Sequence, residues 1–337
     1  MEFVNRCLLC DGEGSTLYEH LLDRLYGVPG TFNYSVCSKC GFTWLNPRPS
    51  KEDIPQYYPS YYTRESSFFP SDNKNYIKKL RNRIRSMIIE YSLGPGTKLP
   101  KKNRVLSSLL SRIHTYYYSN IYKKRPIPPL HQKGRLLDIG CGNGHFLYIM
   151  KKTGWSTFGV EIDPESSRIA RELYKLSIFN GYLEDAHYQD HSFDAITITH
   201  VIEHLHDPIS LLKESHRILC PGGRIYITTP NLESLGHRTS KKNWFALEPP
   251  RHLHLWTPRT LRKTLEMADF KVEQCKTSSK GAAFIHYRSK QIEDVGKTDL
   301  KNHFSISSSV FGCREAFLNV FEKQYGEEIQ LIGKKEI

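Results

Sequence analysis

An apolar run, Arg135-Leu136-Leu137-Asp138-Ile139, passes directly into Gly140-Cys141-Gly142-Asn143-Gly144 and then into the helix-forming His145-Phe146-Leu147. Glycines at alternate positions let the backbone turn sharply at a strand end and leave no Cβ between it and a ligand. Beyond the next apolar run, Phe158-Gly159-Val160, a carboxylate follows at Glu161, 21 residues after Gly140, where it can accept hydrogen bonds from both hydroxyls of a ribose. This pairing restricts the chain to a sheet of parallel strands that presents a nucleoside-containing cofactor at the strand ends.

The pattern from residue 135 onward agrees. Strands are expected at 135–140, 156–162, 177–181, 193–199, 224–229, 271–277 and 328–334, and helices at 144–153, 165–175, 208–219, 258–268 and within 303–325. Strands alternating with helices give an α/β class with a largely parallel sheet. Asp163-Pro164 and Asp207-Pro208 read as helix starts, an acidic cap followed by proline in the first turn. At 337 residues the chain is long enough for roughly two domains with buried cores. No internal repeat is visible.

A dinucleotide fingerprint is Gly-x-Gly-x-x-Gly, whereas here Gly-x-Gly-x-Gly is followed by His145. Asp138 beside the turn suits a cofactor with an ammonium group better than one with a pyrophosphate, which a carboxylate would repel. These residues point to S-adenosylmethionine.

The sequence resembles the class I S-adenosylmethionine-dependent methyltransferases from about residue 134 to its end. The resemblance rests on Leu-Leu-Asp-Ile-Gly-Cys-Gly-Asn-Gly (136–144), Gly-Val-Glu-Ile-Asp (159–163), Ser-Phe-Asp-Ala-Ile (192–196), Val-Ile-Glu-His-Leu-His-Asp-Pro (201–208), Arg-Ile-Leu-Cys-Pro-Gly-Gly (217–223) and Thr-Pro-Asn (229–231). It implies a Rossmann-like seven-stranded sheet with the last strand antiparallel. It also implies that Gly140, Cys141, Gly142 and Gly144 lie along the methionine and ribose, with Asp138 near the ammonium. Glu161 would hold the ribose, Ile162 would pack on the adenine, and Glu184 and Asp185 would read the adenine edge. Tyr182 stands where the family more often has an acid. His200 would offer the methionine mainly its backbone. Cys141 itself reads as a small packing residue.

Methyl transfer to an alcohol needs an aligned acceptor and a group that removes its proton, a task that suits histidine. The candidates are His204, just past the fourth strand of the sheet, and His252 and His254 in the long connection after the fifth; His204 as base and His204 as loop scaffold both stand. Trp155, Trp244 and Trp256 could stack on a planar acceptor, with simple packing the blander reading.

Four of the eight cysteines form two Cys-x-x-Cys pairs, Cys7/Cys10 and Cys37/Cys40. Two such pairs give four thiolates for one tetrahedral zinc ion, with Gly12 and Gly41 expected to supply the left-handed turns. Disulfides and a redox pair are the alternatives; a four-thiolate site has no open position and would be structural. These pairs, with Asn46-Pro47-Arg48-Pro49-Ser50 and the Tyr-Tyr-Pro-Ser-Tyr-Tyr run at 57–62, resemble a bacterial methyltransferase branch that carries an N-terminal zinc-ribbon segment. That branch is often linked to sugars and surface polysaccharides. The implied activity is O-methylation of a sugar, sugar nucleotide or lipid-linked glycan, the alternative being a small-molecule or quinone-type hydroxyl.

The domains expected are a zinc-ribbon-like segment over 1–70, a basic helical linker or lid over 71–133 and the methyltransferase domain over 134–337, with substrate-side insertions at 231–257 and 280–326. Of the formal charge of +13, residues 71–135 contribute 16 Lys and Arg against two acids, leaving the remainder with 32 basic and 33 acidic residues. The basicity belongs to one segment, in which 76–92 has the period of an amphipathic helix. A solvated linker or lid, a peripheral contact with an anionic membrane, and a grip on a phosphate-bearing acceptor are its readings. RNA methylation is a lesser expectation, because Thr199-His200-Val201-Ile202 stands where base-amino methyltransferases carry an Asn/Asp-Pro-Pro-Tyr type motif. No apolar run approaches the roughly 18 residues of a spanning helix, and the first residues lack a secretory apolar region, so a cytoplasmic protein is expected.

Overall fold

Polar turns at the cysteine pairs fold the N-terminal residues into three antiparallel strands, β1 (Gly14–Leu21), β2 (Phe32–Cys37) and β3 (Thr43–Leu45). The computed structural model describes residues 1–58, 126–129, 133–299, 305–322 and 324–336. The basic run at 76–92 and nearly all of the expected linker lie outside the described residues.

Strand and helix then alternate: β4 (Arg135–Ile139), α1 (His145–Lys152), β5 (Ser156–Glu161), α2 (Pro164–Tyr174), β6 (Ser177–Asn180) and β7 (Phe193–Thr199). They are followed by α3 (Pro208–Ile218), β8 (Leu219–Pro230), α4 (Leu235–Ser240), β9 (His254–Leu255), α5 (Pro258–Glu266), β10 (Phe270–Ser278), α6 (Ala282–Val295), α7 (Ile306–Phe321) and β11 (Glu328–Lys335). Seven strands form one sheet in the order β10-β11-β8-β7-β4-β5-β6. β4, β5 and β6 are parallel, while β11 runs antiparallel to both β8 and β10. This is the Rossmann-like methyltransferase arrangement expected from the sequence. Leu136, Leu137 and Ile139 are buried on both faces of β4, as a parallel strand covered by helices requires.

The helix starts are those the residue types dictate. Asp163 accepts a hydrogen bond from the Ser166 N–H at 3.0 Å with Pro164 in the first turn of α2. Asp207 does the same for the Ser210 N–H at 2.9 Å at α3. Each such cap contributes about 1 kcal/mol. Gly144 enters α1 with φ 77°, and a Cβ there would lie 2.6 Å from Leu176 Cδ1 and 2.7 Å from Ala170 Cβ. Both its conformation and its surroundings demand glycine.

One compact unit comprises Met1–Ser60 with Ile198–Ile337, and the other Tyr61–Thr197. The first unit has a reason to be continuous. β9 adds a fourth strand to the N-terminal sheet, with Thr43 opposite Leu255 and Trp44 opposite His254. Leu21, Phe32, Tyr34 and Leu45 share one apolar core with Trp244, Leu247, Leu253 and Leu255. Burying side chains of this size contributes roughly 1.5–3 kcal/mol each, which neither segment would gain alone. The region expected as a substrate-side insertion at 231–257 is thus in large part the second half of this core. Among the described residues, no helix is long and apolar enough to cross a membrane.

Candidate active site

In the unit formed by 61–197, the turn after β4 is held by a carboxylate from β5. Glu161 accepts from the Gly142 N–H at 2.7 Å through one oxygen and from the Asp163 N–H at 2.8 Å through the other. Burial raises its pKa above the ordinary carboxylate value, against the pull of these two N–H groups. Gly140, Gly142 and Gly144 all adopt left-handed φ, of 71°, 55° and 77°. Asp138 is buried and accepts from the Thr197 hydroxyl at 2.6 Å. Directly after buried Glu161, the apolar Ile162 leaves 47% of its surface exposed. A carboxylate at the strand end, a side-chain-free turn and an exposed apolar residue beside them fit the ribose, methionine chain and adenine of S-adenosylmethionine. Glu184 and Asp185 occupy an exposed 3-10 turn after buried Leu183. Cys141 packs inward, since a Cβ on Gly159 would lie 2.6 Å from its sulfur, and burial pushes its thiol pKa well up. It is the packing residue expected and is no nucleophile.

In the other unit, the 3-10 turn Ile202–His204 gathers the titratable groups. His204 Nδ1 lies 3.0 Å from the Arg251 carbonyl and 2.9 Å from the Tyr58 hydroxyl. A carbonyl can only accept, so Nδ1 carries the proton and Nε2 is left as a proton acceptor. Burial and the neighbouring His252 push the His204 pKa down to about 4, against Glu203 and Glu248. The His252 ring stands 4.7 Å from that of His204, and its Nδ1 lies 2.8 Å from the Ala246 carbonyl, which fixes the same tautomer.

Glu203 is almost wholly buried and accepts from the Thr229 hydroxyl at 2.9 Å. Burial opposes its charge, but His200, His204 and His252 outweigh burial and bring the pKa to about 2. His200 lies 3.4 Å from Glu203 and 3.3 Å from Glu328, and despite burial the two carboxylates lift its pKa to about 9. Its N–H is committed to the Thr228 carbonyl at 2.9 Å, so of its backbone the carbonyl alone could face a ligand. Ligand atoms of Glu203, His204 and His252 lie within 4.8 Å of one another, close enough to share one cation.

His254 does not join them. It sits in β9, buried, with its ring 5.3 Å from Phe42 and 5.8 Å from Trp256, and burial drives its pKa down to about 3. As an acceptor-facing base it is corrected by this packing, which encloses the ring beside Phe42 and Trp256. Trp155, Trp244 and Trp256 are buried too, with the Trp155 indole N–H donating to the Pro129 carbonyl and that of Trp244 to Glu327, so none offers a stacking surface. Sequence reasoning missed Tyr58 and Arg251, which fix the His204 tautomer; only the placement of Arg251 directly before His252 hinted at either.

The four paired cysteines come together, with Cys7 and Cys40 sulfurs 3.5 Å apart, Cys10 and Cys37 3.4 Å apart, and all four within 4.8 Å. No two are joined as a disulfide. In the second turn Gly41 takes φ 76° as expected, but in the first it is Asp11, at φ 53°, that turns left-handed. Gly12 is needed for space instead: a Cβ there would lie 2.9 Å from the Cys37 sulfur. Burial opposes the Cys37 thiolate, yet the N–H groups of Cys40 and Lys39 bring its pKa to about 6. A four-sulfur cluster whose first turn, at Gly12, has no room for an added carbon fits a structural zinc ion.

Residues 110–275 match the family model described as Methyltransferase domain. Among curated proteins, the ubiquinone biosynthesis O-methyltransferase of Xanthomonas oryzae pv. oryzae is 36% identical over 104 residues, which are 29% of this chain and 43% of that protein. The protein of the same description from Vibrio cholerae is 30% identical over 104 residues, 29% of this chain and 42% of that protein. The chain spans less than half the length of the curated relatives it matches. Among solved structures, a SAM-dependent methyltransferase from Archaeoglobus fulgidus is 24% identical with a TM-score of 0.41, covering 67% of this chain and 94% of that one. An S-adenosylmethionine-dependent methyltransferase from Mesorhizobium loti is 18% identical with a TM-score of 0.42, covering 61% and 93%.

Proposed function

We propose that the protein is an S-adenosylmethionine-dependent methyltransferase that methylates a hydroxyl oxygen. The observation that carries this reading is the Glu161 carboxylate clamped to the Gly142 N–H at 2.7 Å, which fixes the glycine turn beside an acid that would bind a ribose; the match of 110–275 to a methyltransferase domain supports it. Asp138, Gly140, Gly142, Gly144, Glu161 and Ile162 would hold the cofactor. Bound there, S-adenosylmethionine supplies a methyl carbon made electrophilic by its sulfonium.

What the chain adds is proton handling and position. Nε2 of His204 takes the hydroxyl proton of the acceptor, while the Arg251 carbonyl and the Tyr58 hydroxyl hold Nδ1 and so aim the ring. Glu203 stays ionised beside His204 and stabilises the imidazolium as it forms. A base held near 4 is weaker than free imidazole. It suits an acidic hydroxyl, of phenol or quinol type, better than an alcohol, and the acceptor class in the names of the curated relatives runs the same way. The second reading, a sugar or glycan hydroxyl, rests on the four-cysteine segment that precedes the domain. Zinc at Cys7, Cys10, Cys37 and Cys40 would be structural.

Calorimetry with S-adenosylmethionine, followed by label transfer to hydroquinones, catechols and nucleotide sugars, tests the reading. Label on the phenolic set supports the first acceptor class, label on nucleotide sugars alone selects the second, and absence of cofactor binding refutes both.

A further inference from the structure

Tyr34 is wholly buried in the middle of β2, opposite Tyr18 of β1 on one side and Leu45 of β3 on the other. Its hydroxyl lies 2.7 Å from the Leu247 carbonyl and 2.6 Å from the His252 carbonyl. Carbonyls only accept, so one phenolic proton is shared between two acceptors at the two ends of the segment 247–252. Burial and Glu248 raise the phenol pKa well above its ordinary value, against Arg251, and that proton is retained. A hydroxyl taken into a core costs free energy unless it is bonded, and phenylalanine would fill the same space without that cost. The hydroxyl therefore answers to the segment whose ends it joins.

That segment and its neighbours carry the atoms that set both histidines. The Arg251 carbonyl faces Nδ1 of His204, and the Ala246 carbonyl, just before the segment, faces Nδ1 of His252. Inside the segment the N–H groups of Arg251 and His252 both reach the Glu248 carbonyl, at 3.0 and 3.2 Å, so the chain folds back on itself. Just after it, the Leu253 N–H donates to the Glu203 carbonyl at 2.7 Å and ties the loop to the 3-10 turn that carries His204. Because these Nδ1 partners are backbone carbonyls, their aim depends on the path of the main chain. A path pinned at both ends to one atom on a strand paired along both edges keeps that aim.

We propose that Tyr34 is a positioning residue for the candidate base: its hydroxyl, supplied by the N-terminal sheet, closes the 247–252 loop and holds His204 and His252 protonated on Nδ1 with Nε2 bare. This role rests on the reading of His204 as the base, yet the tautomers belong to the resting protein and can be read without turnover. Cys37 ends the same strand three residues after Tyr34, so the four-cysteine segment reaches the histidines through one hydroxyl.

Nitrogen-15 spectra of the histidine rings in full-length protein provide the test. In the parent both rings are expected to carry the proton on Nδ1. Tyr34→Phe is expected to mix the two tautomers at both rings and, with a methylated acceptor in hand, to lower kcat by about ten-fold or more while KM for S-adenosylmethionine stays unchanged. Leu21→Ala thins the same core and leaves the Tyr34 hydroxyl in place. It is expected to lower the melting temperature with the ring spectra unaltered. Unaltered tautomers in Tyr34→Phe overturn the proposal, as does a parent with either ring protonated on Nε2. An equal change in Leu21→Ala also overturns it, since Tyr34 would then be core packing alone. Should Tyr34→Phe fail to fold, 3-fluorotyrosine placed at position 34 decides. The fluorine makes the hydroxyl a stronger donor and should move the ring nitrogens of His204 and His252 but not those of His286 in α6; unmoved rings overturn the proposal. Tautomers lost in Tyr34→Phe in a protein that methylates no acceptor would support the clasp while refuting His204 as the base.

Discussion

The Arg251 guanidinium and the Asp23 carboxylate, 228 residues apart, meet at 2.7 Å with both side chains wholly withdrawn from solvent. The same guanidinium reaches Glu248 at 2.9 Å and the Tyr57 carbonyl at 3.2 Å, while the Arg251 backbone carbonyl faces Nδ1 of His204. An ion pair anchored in the N-terminal residues therefore holds the loop that sets the tautomer of the candidate base.

Asp23→Ala is expected to cost about 1.5–3 kcal/mol in urea denaturation, because it removes a charged hydrogen-bond partner and leaves the buried guanidinium to Glu248. Burial opposes the Asp23 charge, but Arg251 outweighs it and holds the pKa below the ordinary value of 3.8. Its contribution to stability is therefore present above that ordinary value and lost as pH falls through the lowered one. A variant as stable as the parent would refute the pairing.

His204→Ala is expected to lower kcat by about 100-fold to 10,000-fold, the range for general-base removal, with cofactor affinity unchanged. In the parent, kcat should be level through neutral pH and fall as pH drops through about 4, where Nε2 takes up a proton. An acid limb near the ordinary imidazole value would show that another group is the base.

Glu161→Gln replaces one acceptor oxygen with an amide that confronts either the Gly142 or the Asp163 N–H. A charged hydrogen bond of this kind is worth about 1.5–3 kcal/mol, so calorimetry should show S-adenosylmethionine bound about ten-fold or more weakly. Unaltered affinity would move the ribose contact elsewhere.

Glu315 and Glu327 are both buried, and the Glu327 N–H donates to Glu315 Oε1 at 3.1 Å. Burial raises the Glu327 pKa well above its ordinary value and carries that of Glu315 from 4.5 to about 7. The folded state thus binds more protons than the unfolded one across that interval, and stability should decline as pH rises from 4.5 to about 7. Glu327→Gln keeps the shape without the second charge, so its melting temperature should change less over the interval; an undiminished slope would contradict the coupling.

Cys37→Ser is expected to lower the zinc content measured by mass spectrometry under native conditions and to lower the melting temperature. A chelator should reproduce the loss in the parent and not in the variant. Parent protein purified without zinc, at full stability, would remove the metal from the account.

The glycine turn and its carboxylate were legible because their geometry is local. Gly140, Gly142, Gly144 and Glu161 lie on consecutive strand–helix units, and the turn between β4 and α1 can be read from residue type alone. The expected strand 193–199 coincides with β7 for the same reason, a buried run bounded by turns. The histidine cluster was legible only as a set of histidines. What separates His204 from His254 is the partner each meets far away in sequence, Tyr58 at 146 residues for one and the aromatic packing around Phe42 for the other. α6 escaped notice because its apolar residues do not keep to one stripe, and β9 because two residues carry no period.

The pairing of β9 with β3 has an engineering consequence. A chain begun after residue 133 would retain the seven-stranded sheet yet leave β9 without its neighbour, Arg251 without Asp23, and Trp244, Leu253 and Leu255 without their N-terminal cover. Bare strand edges and uncovered apolar surface are how truncated proteins come to aggregate. The first sixty residues cannot be exchanged among methyltransferases as a cassette; a working graft would have to carry 241–257 along with them, so the seam for recombination runs through the enzyme and not in front of it.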